Sequence, residues 1–211
     1  MRKRIKKQPI TDLFGGCIGY EAPEKEIKIM VCDKSQADRI IEKHHYSHKT
    51  TSNSFVSLIV LYKGKVEGAL QCGYGIRPQI KGDYKPEEVR EFDRMWLSDE
   101  MPKFSETIVL SLFHHFMRLA YPNVKVLISY ADTTAGNNGT IYKAANYELV
   151  DRLQADFYLL PSGERVHPVS MWHRHKTRAW DFLQKQYPGI IHIRNCPLIF
   201  ICCSITYYPF I

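Results

Sequence analysis

The chain has 211 residues, 45% of them hydrophobic and 24% charged, with 29 Lys and Arg against 22 Asp and Glu, a net charge of +7 and a pI near 9.0. That length suits one domain, or one domain with an appendage, with a sizeable core, and the composition is ordinary for a soluble globular protein, which argues against a disordered chain. The basic balance, with Arg2, Lys3, Arg4, Lys6 and Lys7 at the start, favours a polyanion such as nucleic acid through phosphate contacts. The alternative is a solvated basic surface with a disordered arm. Cys17, Cys32, Cys72, Cys196, Cys202 and Cys203 form no C-x-x-C pair and no zinc spacing, so reduced thiols are expected. No apolar run follows the basic start, which argues against a signal peptide.

Residues 1–25 read as a basic, then Gly-rich and irregular arm. Ile27 to Cys32 reads as a strand with Ile27, Ile29 and Val31 on one face. Ser35 with Asp38 resembles a capping box opening a helix to about Lys43. Ser54–Tyr62 and Val66–Tyr74 are apolar runs separated by Lys63-Gly64-Lys65, a hairpin signal. Val89–Leu97 reads as a long strand. Ser105 can cap a helix from Glu106 to Ala120, where Ile108, Val109, Leu112, Phe113, Phe116 and Leu119 recur at helical spacing. A strand at Val124–Ile128, a helix from Thr140 and a strand at Phe157–Leu160 follow. The turn Pro161-Ser162-Gly163-Glu164 leads to a strand at Arg165–Met171 and a last helix at Thr177–Gln186. Residues 26–195 show no repeat and no linker, so they read as one domain. Residues 196–211 carry no charged side chain and contain Pro197 and Pro209. They are short for a membrane helix and read as an atypical apolar tail.

Ser129-Tyr130-Ala131-Asp132 places a carboxylate where a strand ends, and Gly139-Thr140-Ile141-Tyr142-Lys143-Ala144 places a phenol in the first turns of the next helix. Sites in α/β folds gather there; the plain alternative is a turn Asp and a packing Tyr. In His44-His45-Tyr46-Ser47-His48-Lys49, His44 and His48 share a helix face and are weak metal candidates. His114-His115 reads as a solvent-side pair, and Tyr130 as a core residue. Trp172-His173-Arg174-His175-Lys176 offers Trp172, Arg174 and Lys176 for stacking and phosphate contact, or is a loop of solvated charges.

The order helix, hairpin, long strand, helix, strand, helix, strand pair resembles the GNAT acyltransferase fold, an α/β architecture with a central mixed sheet flanked by helices. The resemblance puts a thioester cofactor's phosphates at Phe104-Ser105-Glu106-Thr107, on free helix N–H groups. It makes Arg94, Ser105, Thr107 and Lys143 cofactor-binding candidates and acetyl-CoA a candidate donor. The glycine-rich phosphate loop is missing, and Asp99 and Glu100 stand there instead. The His44–Lys49 block, Glu91-Phe92-Asp93-Arg94-Met95-Trp96-Leu97, Ser129–Asp132 and Gly139–Ala144 together resemble the phage Mom family of DNA-modification proteins, over roughly residues 35–185.

The Mom resemblance implies conversion of the exocyclic N6 amine of adenine in phage DNA to a carbamoylmethylamino group. That protects the DNA from host restriction, in the cytoplasm of the infected bacterium. It implies double-stranded DNA as partner and an association with iron; the absence of an internal spanning segment separately argues for no membrane partner. Carried over by motif, the site residues are His45, Tyr46, Arg94, Asp132 and Tyr142, with Ser129 and Lys143 in support. Adenine N6 is a poor nucleophile and needs an acceptor, for which Asp132 is the candidate. Tyr142, Tyr46 or Arg94 can stabilise an oxyanion, and Tyr142 can protonate the leaving group. Arg94 can otherwise clamp a phosphate, or simply pair with Glu91 or Asp93. A flipped base would stack on Tyr74, Tyr84 or Trp172.

The carbamoylmethyl group contains a nitrogen besides N6, and acetyl transfer supplies none. A glycyl donor, such as glycyl-tRNA, supplies every missing atom; acetyl transfer followed by amination is the alternative. Two other functions fit the same fold: N-acyltransfer to a small-molecule or protein amine, and a non-catalytic nucleic-acid-binding module.

Overall fold

The first ordered elements lie inside the segment expected to be irregular. In the computed structural model, which describes residues 5–75, 84–133 and 138–205, Gln8–Thr11 (β1) and Cys17–Ala22 (β2) pair antiparallel. Their sequence hides them because Gly19 interrupts the apolar pattern; a Cβ there would collide with the Ile29 carbonyl, so strand pairing itself demands the glycine. At the hairpin tip Asp12 Oδ1 accepts the N–H groups of Phe14 and Gly16, leaving Leu13 and Phe14 in solvent. Arg2, Lys3, Arg4 and residues 206–211 lie outside the described residues.

The remaining elements are β3 (Ile27–Val31), α1 (Lys34–His44), β4 (Ser54–Tyr62), β5 (Lys65–Tyr74), β6 (Val89–Leu97), α2 (Ser105–Ala120), β7 (Val126–Asp132), α3 (Thr140–Ala144), β8 (Glu148–Leu159), β9 (Arg165–Val166), α4 (Pro168–His175), α5 (Trp180–Gln186) and β10 (Ile191–Ser204). The β4–β5 turn has positive φ at both Lys63 and Gly64, which matches the twist of a two-residue hairpin. The chain divides into two compact units, one of Met1–Ser129, Thr140–Val150 and Ile201–Ile211, the other of Tyr130–Gly139 and Asp151–Phe200.

In the first unit the strand order is β1-β2-β3-β4-β5-β6-β7, antiparallel up to β6 and parallel between β6 and β7. This is the expected mixed sheet with flanking helices. α1 seats Ala37 and Ile41 against Ala69 of β5. α2 buries Val109, Leu112, Phe113 and Phe116, with Phe113 packed 5.3 Å from Phe92 of β6, ring to ring. In the second unit the order is β10-β8-β9, around a core of Tyr158, Leu160, Val166, Met171, Leu183 and Ile190.

Several local expectations give way to better partners. Asp33, not Ser35, is the N-cap of α1; Asp38 instead holds Lys34 and the amide of buried Gln71. Phe104, with φ 72°, caps α2, and the Ser105 hydroxyl donates to Pro102 O at 2.6 Å. The strand expected over Arg165–Met171 stops at Val166, because Pro168 occupies the first turn of α4, where its fixed φ suits a helix. Trp172–His175 is therefore helical, not a loop, and α5 begins at Trp180. Residues 196–204 of the apolar tail form the end of β10. His114 is not on the solvent side: it is buried, with Nε2 3.3 Å from the Tyr147 hydroxyl, while His115 stacks on Tyr20.

Phe113→Ala would leave a cavity at the centre of α2 and is expected to cost about 3–5 kcal/mol, read as a lower urea midpoint; Phe14→Ser at the hairpin tip should leave it within about 0.5 kcal/mol. Burial, with Arg118 adding to it, pushes the His114 imidazole down to about 3. The unfolded chain binds this proton below the usual 6.5 and the folded chain does not. Stability from this residue is therefore present above 6.5 and lost progressively as pH falls toward 3. His114→Gln should flatten the dependence of the urea midpoint on pH between 4 and 6.5, relative to wild type.

Candidate functional site

A one-residue bulge sets the site. Along β5 and β6, Gln71 pairs with Arg94 and the next residue, Cys72, pairs with Phe92, so Asp93 faces no partner residue. An extra residue in one strand reverses which face the following side chains take. Phe92 points to Phe113 of α2, whereas Trp96 stacks on His44 at the end of α1, with ring centroids 4.2 Å apart. Arg94, on that second face, donates from Nη1 to Ser47 Oγ at 2.8 Å. Without the bulge Phe92, Arg94 and Trp96 would share one face.

On its other edge β6 pairs with β7 only from Val89↔Val126 to Glu91↔Ile128. Just past that point the Ser129 hydroxyl lies 2.8 Å from Phe92 O and 3.1 Å from the Tyr142 hydroxyl of α3. A carbonyl can only accept, so the serine proton goes to Phe92 O and the phenol donates to Ser129 Oγ. Burial raises the Tyr142 phenol above the ordinary tyrosine value, the contact with Ser129 opposing it and Tyr46 and Asp93 adding to it. Tyr142 is thus a neutral phenol with an oriented proton. Its ring meets Phe92 and Tyr147 edge-on.

After α1 the chain turns through His45, Tyr46 and Ser47. His45 is buried; its Nδ1 accepts the Ser47 N–H at 3.2 Å and lies 2.8 Å from Ser47 Oγ. An accepting Nδ1 leaves the imidazole proton on Nε2. The order of donation is therefore Arg94 to Ser47 to His45. Burial, then the charges of Arg94 and His48, hold the imidazole down to about 4, so it is neutral at physiological pH. Tyr46 lies beside it, ring centroids 4.2 Å apart, and is exposed.

Asp93 is the strongly perturbed acid of the first unit. Its Oδ2 is buried without a hydrogen-bond partner among the described residues, over the bare backbone of Gly73, where a Cβ would fall 2.5 Å from that oxygen. Burial, then Glu91, raise the carboxyl to about 8, with Arg94 opposing. Arg94, for which a plain pairing with Glu91 or Asp93 is the alternative reading, bonds Ser47 instead, and its Nε is buried without a hydrogen-bond partner among the described residues.

The other expected site residues scatter. Asp132 belongs to the second unit, where its carboxylate accepts from Arg165 at 3.3 Å. Lys143 is exposed on α3. Ser105 and Thr107 lie in the first turn of α2, beside a cleft of about 370 Å³ lined by Ser98, Asp99, Lys103, Ser105 and Glu106. Two carboxylates against one lysine oppose a pyrophosphate, and the Ser105 N–H is already spent on Pro102 O; the donor set does not fit coenzyme A phosphates. His44 stacks on Trp96 and His48 Nδ1 lies 2.8 Å from Glu42 O. Among the described residues no three His, Cys, Asp or Glu side chains could hold a metal ion, so an iron site finds no ligand set there. In the second unit Arg174 forks onto Glu164 at 2.7 and 3.2 Å, which ties up a side chain expected to meet phosphate; Trp172 and Lys176 are exposed. No helix of the described residues is long and apolar enough to cross a membrane.

Ser47 and Asp93 escaped the sequence reading. For Ser47 no pattern in the chain marks it. For Asp93 one signal existed: Phe92-Asp93-Arg94 breaks the apolar–polar alternation with two successive charges, the trace a bulge leaves in sequence.

The Mom protein family matches residues 26–197. Methylcarbamoylase mom of Escherichia phage Mu is 31% identical over 175 residues, 81% of this chain and 71% of that protein. Among solved structures, the ribosomal-protein-S5-alanine acetyltransferase of Vibrio fischeri superposes with a TM-score of 0.52 at 10% identity, covering 89% of this chain and 96% of that one. A Salmonella typhimurium protein solved with its cofactor acetyl-CoA gives 0.50 at 10% identity, over 87% and 96%. The structural likeness is one of fold, and the fold is that of the GNAT-like acetyltransferases. By sequence, the chain belongs to the Mom protein family.

Proposed function

We propose that the chain is a transferase that converts adenine N6 in double-stranded DNA to a carbamoylmethylamino group. One observation carries the reading: the family match over residues 26–197 spans His45, Arg94, Ser129, Asp132 and Tyr142, and all of these but Asp132 belong to one compact unit. In a phage, that product would shield the genome from host restriction in the bacterial cytoplasm.

In this reading Tyr142 is the acid. Its proton, held by Ser129 Oγ until substrate binds, turns to the leaving group as the bond from the acyl carbon breaks, a task for a neutral phenol. Arg94, oriented by Ser47, stabilises the oxyanion that forms on the acyl carbonyl. His45 offers its Nε2 proton as a second donor, and the exposed Tyr46 ring gives an extruded base a surface to stack on. Trp172 and Lys176 contribute stacking and charge against DNA. No metal enters any step.

The donor is an activated glycyl ester, for which glycyl-tRNA is the natural carrier. Glycyl transfer to N6 followed by attack of the glycine amine on ring carbon six yields the carbamoylmethyl product without another reactant. Acetyl-CoA would need a later amination, and the acid-lined cleft at α2 is ill suited to its phosphates.

The test is to express the chain in bacteria, digest plasmid DNA to nucleosides and weigh the adenosines. Wild type should give an adenosine heavier by one carbamoylmethyl group, and Tyr142→Phe should lower its yield about 10²–10⁴-fold. An unmodified pool from soluble protein, with coenzyme A bound, would move the reading to another amine. Cells fed glycine labelled in carbon and nitrogen should place both labels in the modified base; a label-free product would return the donor to acetyl transfer followed by amination.

A further inference from the structure

N6 must lose a proton when it forms its new bond, and the carboxylate of Asp132 already accepts from Arg165. Asp93 is placed differently. It is the bulged residue of β6, released from the alternation that governs its neighbours. One of its oxygens is buried without a hydrogen-bond partner among the described residues, resting over Gly73, and the residue as a whole keeps partial exposure. An unpaired buried carboxylate oxygen calls for an explanation, and a catalytic role is one. Bulges likewise recur beside active sites because they re-aim a side chain.

We propose that Asp93 is the residue that takes the N6 proton of adenine during group transfer. The assignment rests on the adenine-modifying reading above. As N6 bonds to the acyl carbon of the activated ester, its proton moves to the Asp93 carboxylate. The bond from that carbon to the ester oxygen breaks, and the departing oxygen takes the Tyr142 proton. Asp93 is then protonated and Tyr142 is a phenolate, and one proton passed from the first to the second restores both. Atoms and charge balance, with no oxidant, reductant or metal.

Among the described residues, the groups coupled to Asp93 by charge are Glu91 and Arg94 on its own strand, Cys72 on β5 and Tyr142 on α3. Burial and Glu91 outweigh Arg94, and the acid rises to about 8. A base of that strength is ionised in a minor fraction of molecules at neutral pH, so its reaction accelerates on the alkaline side. An unpaired oxygen also makes Asn a near-isosteric replacement, which separates chemistry from packing.

The experiment measures modified adenine in plasmid DNA added to extracts of cells expressing wild type or Asp93→Asn, buffered from pH 6 to 9.5, the extract supplying the donor. Wild type should gain rate with pH through a midpoint near 8. Asp93→Asn should lose at least about 100-fold and show no such limb. Thermal midpoints of the purified proteins keep the test independent of folding. A raised acid binds its proton in the folded chain but not in the unfolded one between the usual 3.8 and about 8. Wild-type stability should therefore fall relative to Asp93→Asn as pH climbs through that window. An Asp93→Asn protein as active as wild type, or a wild-type profile flat from pH 6 to 9.5, overturns the assignment and leaves the adenine reading standing. A soluble wild-type protein that leaves the DNA unmodified overturns that reading, and the assignment with it.

Discussion

The extra residue in β6 is the constraint on which the rest of the first unit depends. A strand has two faces and strict alternation, so a chain that must send Phe92 into one layer and Arg94 and Trp96 into the other cannot do so without slipping one position. Asp93 absorbs the slip. The hydrophobic core of α2 and the polar network at the end of α1 are then served by residues two apart in sequence. Gly73 across the ladder completes the arrangement, because a side chain there would strike both the Asp93 carboxylate and the Asn53 carbonyl.

Burial then sets the protonation of the groups brought together. His45 is held neutral, the Tyr142 phenol is kept protonated and the Asp93 carboxyl is pushed toward neutrality, and in each case desolvation is the largest cause. Arg94 keeps its charge there, since a guanidinium does not deprotonate in proteins. A fixed cation beside the neutral His45 and Tyr142 suits a reaction in which negative charge appears briefly on a carbonyl. It would suit a phosphate-rich cofactor less well.

The sheet was legible because its centre follows the simplest rules. The alternating, β-branched runs of β4 and β5 flank a Lys-Gly turn, and the apolar spacing of α2 has one dominant period. What stayed hidden follows from competition between partners. Ser35 and Ser105 look like caps, but Asp33 and Phe104 take those positions. Gly19 conceals a strand whose neighbour needs its bareness. The Tyr142, His45, Arg94 and Ser129 positions came from the family motif; Ser129 is bonded to Tyr142, and Arg94 reaches His45 through Ser47. Ser47 and Asp93 could not be found that way: one acts only through a bond to a residue 47 positions away, and the other only through a slip in register.

The carbamoylmethyl product demands two bond-forming steps, and the proposed glycyl route explains how few protein groups it would take. Once glycine is joined to N6, its amine and ring carbon six belong to one molecule, and closing the ring between them involves only five atoms. Intramolecular attack of that kind gains an effective concentration far beyond any free amine, up to about 10⁵–10⁸ M in well-oriented cases. Opening the ring on the other side leaves the former N6 as the terminal amide, an isomerisation in which nothing is added or lost. The protein then has only to complete the first acyl transfer and exclude water from the ester. The second step needs no further residues, which fits a site whose buried polar groups number so few.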